Sequence, residues 1–173
     1  MIEIDKNNHK TIEKLKEIKQ NGFQTILLMG GVGVGKTFLA RNIFGGYFID
    51  EPQFKQEIVA GNARLRNPEE WNCSIDKFPL EALTKHKQVI YDDIGSVDCN
   101  ETYIEKTLYW LNERAKKKTE KGNPFRTIIT TNLTLDELEK REKRIFSRIM
   151  ENCLIITLSW PDRRERNTKS IVL

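Results

Sequence analysis

The sequence predicts an α/β fold with a parallel sheet covered on both faces by helices. Three observations carry this. The runs Thr25–Met29 (TILLM), Gln88–Tyr91 (QVIY), Arg126–Thr131 (RTIITT) and Cys153–Leu158 (CLIITL) are almost wholly apolar or β-branched, as strands buried on both faces are. Segments of helical period separate them, the alternation that builds parallel βαβ units. The first run enters a glycine-rich turn, GGVGVG, that opens the next helical segment.

Each element follows from its residues. Lys10–Lys19 carries Ile12, Leu15 and Ile18 at helical spacing, a short amphipathic helix that Gly22 closes. After the Thr25–Met29 strand, Lys36–Phe44 reads as helix. The stretch 47–79 is ambiguous, with Tyr47–Ile49 as a candidate strand and Phe54–Leu65 as a candidate helix. Gln88–Tyr91 is a strand running into Asp92 and Asp93. Glu101–Lys118 is a long helix with Ile104, Leu108 and Leu111 on one face. Arg126–Thr131 is the third of the four strands. Thr134 and Glu137 form a capping box that starts a helix. Arg144–Met150 is helical, and Cys153–Leu158 is the last strand. No repeat or linker divides the 173 residues, so one unit over 1–173 is expected, with 1–24 as a helix and lead-in and 25–173 as the core.

Hydrophobic residues make up 38% and charged residues 31%, the balance of a folded chain, not a disordered one. No apolar run approaches the roughly 20 residues of a membrane span. Residues 1–10 contain Glu3 and Asp5 and lack the apolar segment of a secretory leader. Cys73, Cys99 and Cys153 are dispersed, and His9 and His86 add no metal spacing. Free thiols in the cytoplasm are therefore expected, with no membrane partner and no structural zinc. The net charge of +4 is uneven: residues 114–173 hold 15 Lys/Arg against 8 Asp/Glu, and residues 1–113 hold 14 against 17. A basic C-terminal third is the footprint of a polyanion partner or of a solvated face.

Gly30-Gly31-Val32-Gly33-Val34-Gly35-Lys36-Thr37 fits G-x-x-x-x-G-K-[ST] at each fixed position, between a strand and a helix. Glycines let the backbone curl so that successive N–H groups face phosphate oxygens, and the following helix adds its positive end. The residues expected to bind the phosphates are Gly31, Val32, Gly33, Val34, Gly35, Lys36, Thr37 and Phe38. Lys36 reaches the β- and γ-phosphates, and the Thr37 hydroxyl serves Mg²⁺. The dinucleotide pattern G-x-G-x-x-G is absent, because Lys36 stands where its last glycine belongs.

Asp92, at the end of an apolar strand, is expected to hold Mg²⁺ through water, and Asp93 to orient and deprotonate an attacking water. Taken without the phosphate loop, the same acids also suit a turn or helix cap. Asn132, following Thr130 and Thr131, is placed either to hold that water beside the γ-phosphate or simply to turn the chain before the Thr134 cap.

Four segments, GGVGVGKTFLA, FPLEALTKHKQVIYDDIG, FRTIITTNLTLDEL and RIFSRIMENCLIITLSWPDRR, together resemble the AAA+ ATPases of the bacterial DnaC/DnaI helicase-loader type and their IstB-type transposition-helper relatives. The likeness runs from about Gly22 to Arg166. It implies a three-layer αβα P-loop NTPase core with a reduced lid, using ATP and Mg²⁺. It implies an ATPase acting in DNA replication, assembling as a homo-oligomer, contacting single-stranded DNA and engaging a replicative DNA helicase or another replication or transposition protein. Carried over by position, Lys36 and Thr37 match the Walker A pair, Asp92 and Asp93 the Walker B acids, and Asn132 the sensor-1 residue. Arg148 matches the arginine finger that acts on a neighbouring subunit's ATP, a role a guanidinium suits; otherwise it reads as a solvated helix arginine. Arg164, or its neighbour Arg163, matches the sensor-2 arginine. Family loaders usually carry an N-terminal helicase-binding domain, and about 24 residues precede Thr25 here. Either the chain is the ATPase core without that domain, or it recruits its partner differently.

Lys116, Lys117, Lys118, Lys121 and Arg126 follow the long helix, and Arg163, Arg164, Arg166 and Lys169 crowd the C-terminus. These are either phosphate contacts for single-stranded DNA or a solvated helix end plus nucleotide-site arginines. Phe125 and Trp160 are the nearest aromatic residues, while Trp71, Trp110 and Trp160 read as core or subunit-contact residues. A different class of function, a nucleotide-switched adaptor with little turnover, fits the same motifs. A small P-loop kinase would need an arginine-rich lid, for which Arg64 and Arg66 are the candidates.

Overall fold

In the computed structural model, which describes residues 9–20, 23–66 and 79–159, five strands form one parallel sheet. They are β1 (Thr25–Met29), β2 (Tyr47–Asp50), β3 (Gln88–Asp92), β4 (Arg126–Thr131) and β5 (Cys153–Thr157), in the order β2-β3-β4-β1-β5. The connecting helices are α1 (His9–Gln20), α2 (Lys36–Leu39), α3 (Glu51–Arg66), α4 (Pro79–Lys85), α5 (Glu101–Ala115), α6 (Leu135–Arg141) and α7 (Lys143–Met150).

Side-chain alternation explains the three layers. Ile26, Leu28, Ile90 and Ile128 point to one face, where α1, α2 and the turn after α2 bury them with Leu15, Leu39 and Phe44. Leu27, Met29, Val89, Tyr91 and Ile129 point to the other, packed with Phe54, Leu83, Trp110, Leu138 and Ile149 from α3, α4, α5, α6 and α7. Both faces are covered, which is why TILLM and QVIY carry no polar alternation. Trp110 is fully buried, as expected of a core residue; Trp71 and Trp160 lie outside the described residues.

The differences from expectation have local causes. The α2 helix continues only as a π-helical turn, Ala40–Phe44, closed by the Gly45 N–H donating to the Ala40 carbonyl at 3.1 Å. In the ambiguous stretch both candidates form: β2 runs one residue further, to Asp50, and α3 starts earlier, at Glu51, and ends at Arg66. The α4 helix was not expected; its signal was a proline in the first helical position with Leu80 and Leu83 a turn apart. The expected helix to Lys118 stops at Ala115, because the chain must reverse to start β4. Lys118 bridges Pro124, and the Thr119 and Phe125 N–H groups donate to the Asn123 and Lys117 carbonyls. The last strand ends at Thr157, and the proposed helix end at Gly22 lies outside the described residues.

Arg114 ties the N-terminal edge of the sheet together. It is 1% exposed and has no carboxylate partner among its hydrogen bonds. Its Nε donates to Thr127 Oγ1 at 2.9 Å, Nη1 to the Leu83 and His86 carbonyls at 2.5 and 2.7 Å, and Nη2 to the Arg126 carbonyl at 2.6 Å. Burial pulls its pKa down to about 10, so those carbonyl oxygens carry the work of holding a cation in the interior. Only a planar fork supplies donors in that arrangement. Arg114→Ala should cost about 3 kcal/mol or more, from unpaired carbonyls plus a cavity, and Arg114→Lys should recover little of it. Urea unfolding measures this; a loss under about 1 kcal/mol would mean that water satisfies those carbonyls.

Candidate functional site

Strand register assembles the site. β1, β3 and β4 run parallel, with Leu28 beside Thr130 and Ile90 beside Ile128, so their C-terminal ends meet at one edge. Asp92 shares the face of Ile90, and Thr130 shares that of Ile128, which is the face α2 covers. The turn after β1 and the start of α2 therefore stand over Asp92 and Thr130.

The glycine turn leaves β1 at Gly30, whose φ is +151°. A Cβ there would lie 2.5 Å from the Leu158 carbonyl oxygen, so only glycine fits between β1 and the end of β5. Gly35, at φ +90°, caps the N-terminus of α2. No atom lies within 4 Å of the place its Cβ would occupy, so the space beside the loop is open. Val34 is buried under the loop, while Gly31 and Val32 are exposed.

Lys36 is buried, and its Nζ donates to the Gly30 and Gly31 carbonyls, each at 2.7 Å, and to Asn132 Oδ1 at 2.6 Å. Asn132 Nδ2 in turn donates to Asp93 Oδ1 at 2.5 Å. Thr37 Oγ1 donates to Asp92 Oδ2 at 2.9 Å and Thr130 Oγ1 to Asp92 Oδ1 at 2.7 Å, while Thr130 Oγ1 accepts from the Asp93 N–H at 2.9 Å. Burial pushes the Asp92 carboxyl above its ordinary pKa, against the opposing hydroxyl bonds from Thr130 and Thr37. Asp93 sits at φ +60°, the left-handed region, which turns its carboxylate back toward Asn132.

These residues line a cleft of about 580 Å³, bounded by Val32, Gly33, Gly35, Lys36, Thr37, Phe38, Asp92, Asp93, Thr130 and Asn132. A curled backbone, a buried ammonium and a hydroxyl–carboxylate pair suit a polyphosphate with a hard divalent cation. Lys36 stands where it can exchange carbonyl oxygens for phosphate oxygens. Thr37 and Asp92 offer two oxygens 2.9 Å apart for Mg²⁺. The residue set fits both groups.

Of the other sequence candidates, Arg148 lies on α7, away from the cleft lining, and donates to Glu151 Oε2 at 2.5 Å. Arg163, Arg164 and the Arg64 and Arg66 side chains lie outside the described residues. Thr130 was missed by sequence reasoning. Its signal was a polar β-branched residue two positions before Asn132 on an otherwise apolar strand. Among the described residues no His/Cys/Asp/Glu cluster could hold a metal by itself, Cys99 and Cys153 are free thiols, and no helix is long and apolar enough to cross a membrane.

No protein-family model matches the chain, and no curated protein matches it. Solved structures do. The DnaC helicase loader superposes with a TM-score of 0.64 at 21% identity, covering 90% of this chain and 92% of that one. DnaI superposes with a TM-score of 0.63 at 19% identity, covering 94% and 88%. The replication initiator DnaA bound to AMPPCP and single-stranded DNA gives 0.64 at 16% identity, and the match spans 91% of this chain but 48% of that one. The fold is thus a three-layer α/β P-loop NTPase fold, the one these solved structures share.

Because burial raises the Asp92 pKa, the folded state holds that proton more tightly than the unfolded chain. Its contribution to stability is therefore present at low pH and lost as pH rises from the ordinary carboxylate value, near 3.8, through the raised folded value. Asp92→Asn should escape this loss. In thermal unfolding across pH 3 to 8 without nucleotide, the variant should gain on the wild type as pH rises. A variant that instead loses ground with rising pH would show that Asp92 is stabilised as the anion.

Proposed function

We propose that this chain binds ATP with Mg²⁺ and hydrolyses it, as an AAA+ core of the DnaC/DnaI helicase-loader type. It acts in DNA replication on single-stranded DNA and a replicative helicase or another replication or transposition protein. The observation that carries the reading is the continuous hydrogen-bonded set Lys36–Asn132–Asp93 beside Thr37–Asp92–Thr130 at the rim of one cleft. The likeness to a helicase loader over nearly the full length of both chains supports the wider role.

In this reading the loop from Gly31 to Phe38 carries the triphosphate, with Lys36 leaving the Gly30 and Gly31 carbonyls for the β- and γ-phosphates. Thr37 and, through water, Asp92 hold Mg²⁺, which when bound supplies neutralising charge at the phosphoryl oxygens. Asn132 orients a water for in-line attack. Asp93 takes the proton of that water as its oxygen bonds to the γ-phosphorus and the bond to the ADP oxygen breaks. Arg148 gives up Glu151 and reaches the γ-phosphate bound by an adjacent copy, and Arg164 or Arg163 acts as a second arginine on the chain's own nucleotide.

The lysines have a separate role. The 116–124 turn precedes β4, whereas the phosphate loop follows β1, so the sheet's length, roughly 17 Å for five residues, separates them. Lys116, Lys118 and Lys121 are exposed at that far edge. They suit the phosphates of single-stranded DNA rather than ATP.

Two experiments test this. Lys36→Ala should abolish ATP turnover, and Arg148→Ala should lower it by about 10³-fold. A mixture of the two should recover activity, since one supplies the arginine and the other the intact cleft. If Arg148→Ala turns over ATP at the wild-type rate, the trans assignment is wrong. Reversing Lys116, Lys118 and Lys121 to Glu should weaken single-stranded DNA binding and flatten its salt dependence by about 0.7 in log–log slope per lost phosphate contact. An unchanged slope would place the DNA elsewhere.

A further inference from the structure

Glu51, the first residue of α3, is fully buried and faces the loop that leaves β3 through Asp93. Its Oε2 accepts from three consecutive backbone N–H groups, Gly95 at 3.0 Å, Ser96 at 2.7 Å and Val97 at 2.9 Å, and from Ser96 Oγ at 3.2 Å. Its Oε1 accepts from the Tyr103 hydroxyl at 2.5 Å, which in turn accepts from the Tyr91 hydroxyl at 3.1 Å. Burial first and the Glu51 charge second raise the Tyr103 pKa, so that phenol remains a donor. Arg141 Nη2 lies 3.7 Å from Glu51 Oε2, and Arg141 Nη1 donates to the Gly95 carbonyl at 2.9 Å.

Three successive N–H groups converging on one oxygen form an anion nest, here filled by a side chain of the same molecule. A buried carboxylate with that many donors fixes the backbone around it. Two residues upstream, Asp93 is held in the left-handed region, a conformation an L-residue adopts at a cost of about 1–2 kcal/mol. The Ser96 N–H also donates to the Asp93 carbonyl at 3.2 Å, and Thr131 Oγ1 donates to the Ile94 carbonyl at 2.7 Å. The loop from Asp93 to Val97 is thus pinned from both sides, with Glu51 as its largest anchor.

We infer that Glu51 is a positioning residue for hydrolysis: by filling the nest at Gly95–Val97 it holds the strained Asp93 in the geometry that meets Asn132 and the attacking water. The inference rests on the proposed ATPase activity. It predicts a loss in the chemical step and none in nucleotide binding, because Glu51 touches neither the phosphate loop nor Lys36.

The test compares wild type, Glu51→Gln, Arg141→Gln and Asp93→Asn, with Glu51→Gln also placed in the Asp93→Asn background. Kd is measured for AMPPCP with Mg²⁺, and kcat from ATP turnover. Glu51→Gln should lower kcat about 10- to 100-fold with the Kd unchanged within about 2-fold, and should add less than about 2-fold on top of Asp93→Asn. If Glu51→Gln does not fold, Arg141→Gln, which releases the Gly95 carbonyl from a partly exposed position, decides: it should also lower kcat with the Kd retained. Equal loss in the wild-type and Asp93→Asn backgrounds, a parallel loss of AMPPCP binding, or a wild-type kcat in the folded variant would each overturn the inference. A wild-type protein with no ATP turnover would fail the ATPase reading instead and be recognised before any variant is compared.

Discussion

Lys36 is 6% exposed, and an isolated cation at that depth is prohibitively unfavourable. It is tolerated because the Gly30 and Gly31 carbonyls and Asn132 Oδ1 converge on it within 2.7 Å. Two of those oxygens come from a backbone that must curl back on its own lysine, which requires glycine. The third comes from the end of the neighbouring strand. The parallel register of β1 with β4, Leu28 beside Thr130, brings that residue within reach. Packing the apolar strands in this order is thus also what solvates the lysine.

The same requirement couples the cleft to the rest of the sheet edge. Asn132 divides its amide between Lys36 and Asp93. Asp93 in turn depends on the loop clamped by Glu51, and Asp92 depends on hydroxyls from both α2 and β4. A ligand that takes Lys36 away from Asn132 therefore acts on a group bonded to the acid that would activate water. The opposite edge of the sheet has an analogous arrangement for a different purpose: Arg114 gathers carbonyls from α4, β4 and the residues after α4, and its role is structural.

Much of this was legible in the sequence, for identifiable reasons. Period and apolarity announced β1, β3, β4 and β5, because a strand buried on both faces tolerates little else. The glycine loop and the two acids stood out by residue type and spacing, and the structure brings them to one cleft. Adjacency was not legible: that Thr130 and Thr37 share Asp92 depends on which strand lies beside β1. Glu51 gave no local signal, since an acid at the start of a helix is ordinary and its hydrogen-bond partners lie 44 to 52 positions away. The end of α5 was missed because helix propensity continues through Lys116–Lys118, while strand order demands a reversal there.

The most direct measurement is hydrogen–deuterium exchange of the full chain with and without ATP and Mg²⁺. If the glycine loop is a phosphate cradle, exchange at the amides of residues 31–37 should slow markedly on adding nucleotide, with a smaller effect around Asp93 and Asn132 at the far side of the cleft. Unchanged exchange across residues 31–37 at saturating ATP would contradict the account.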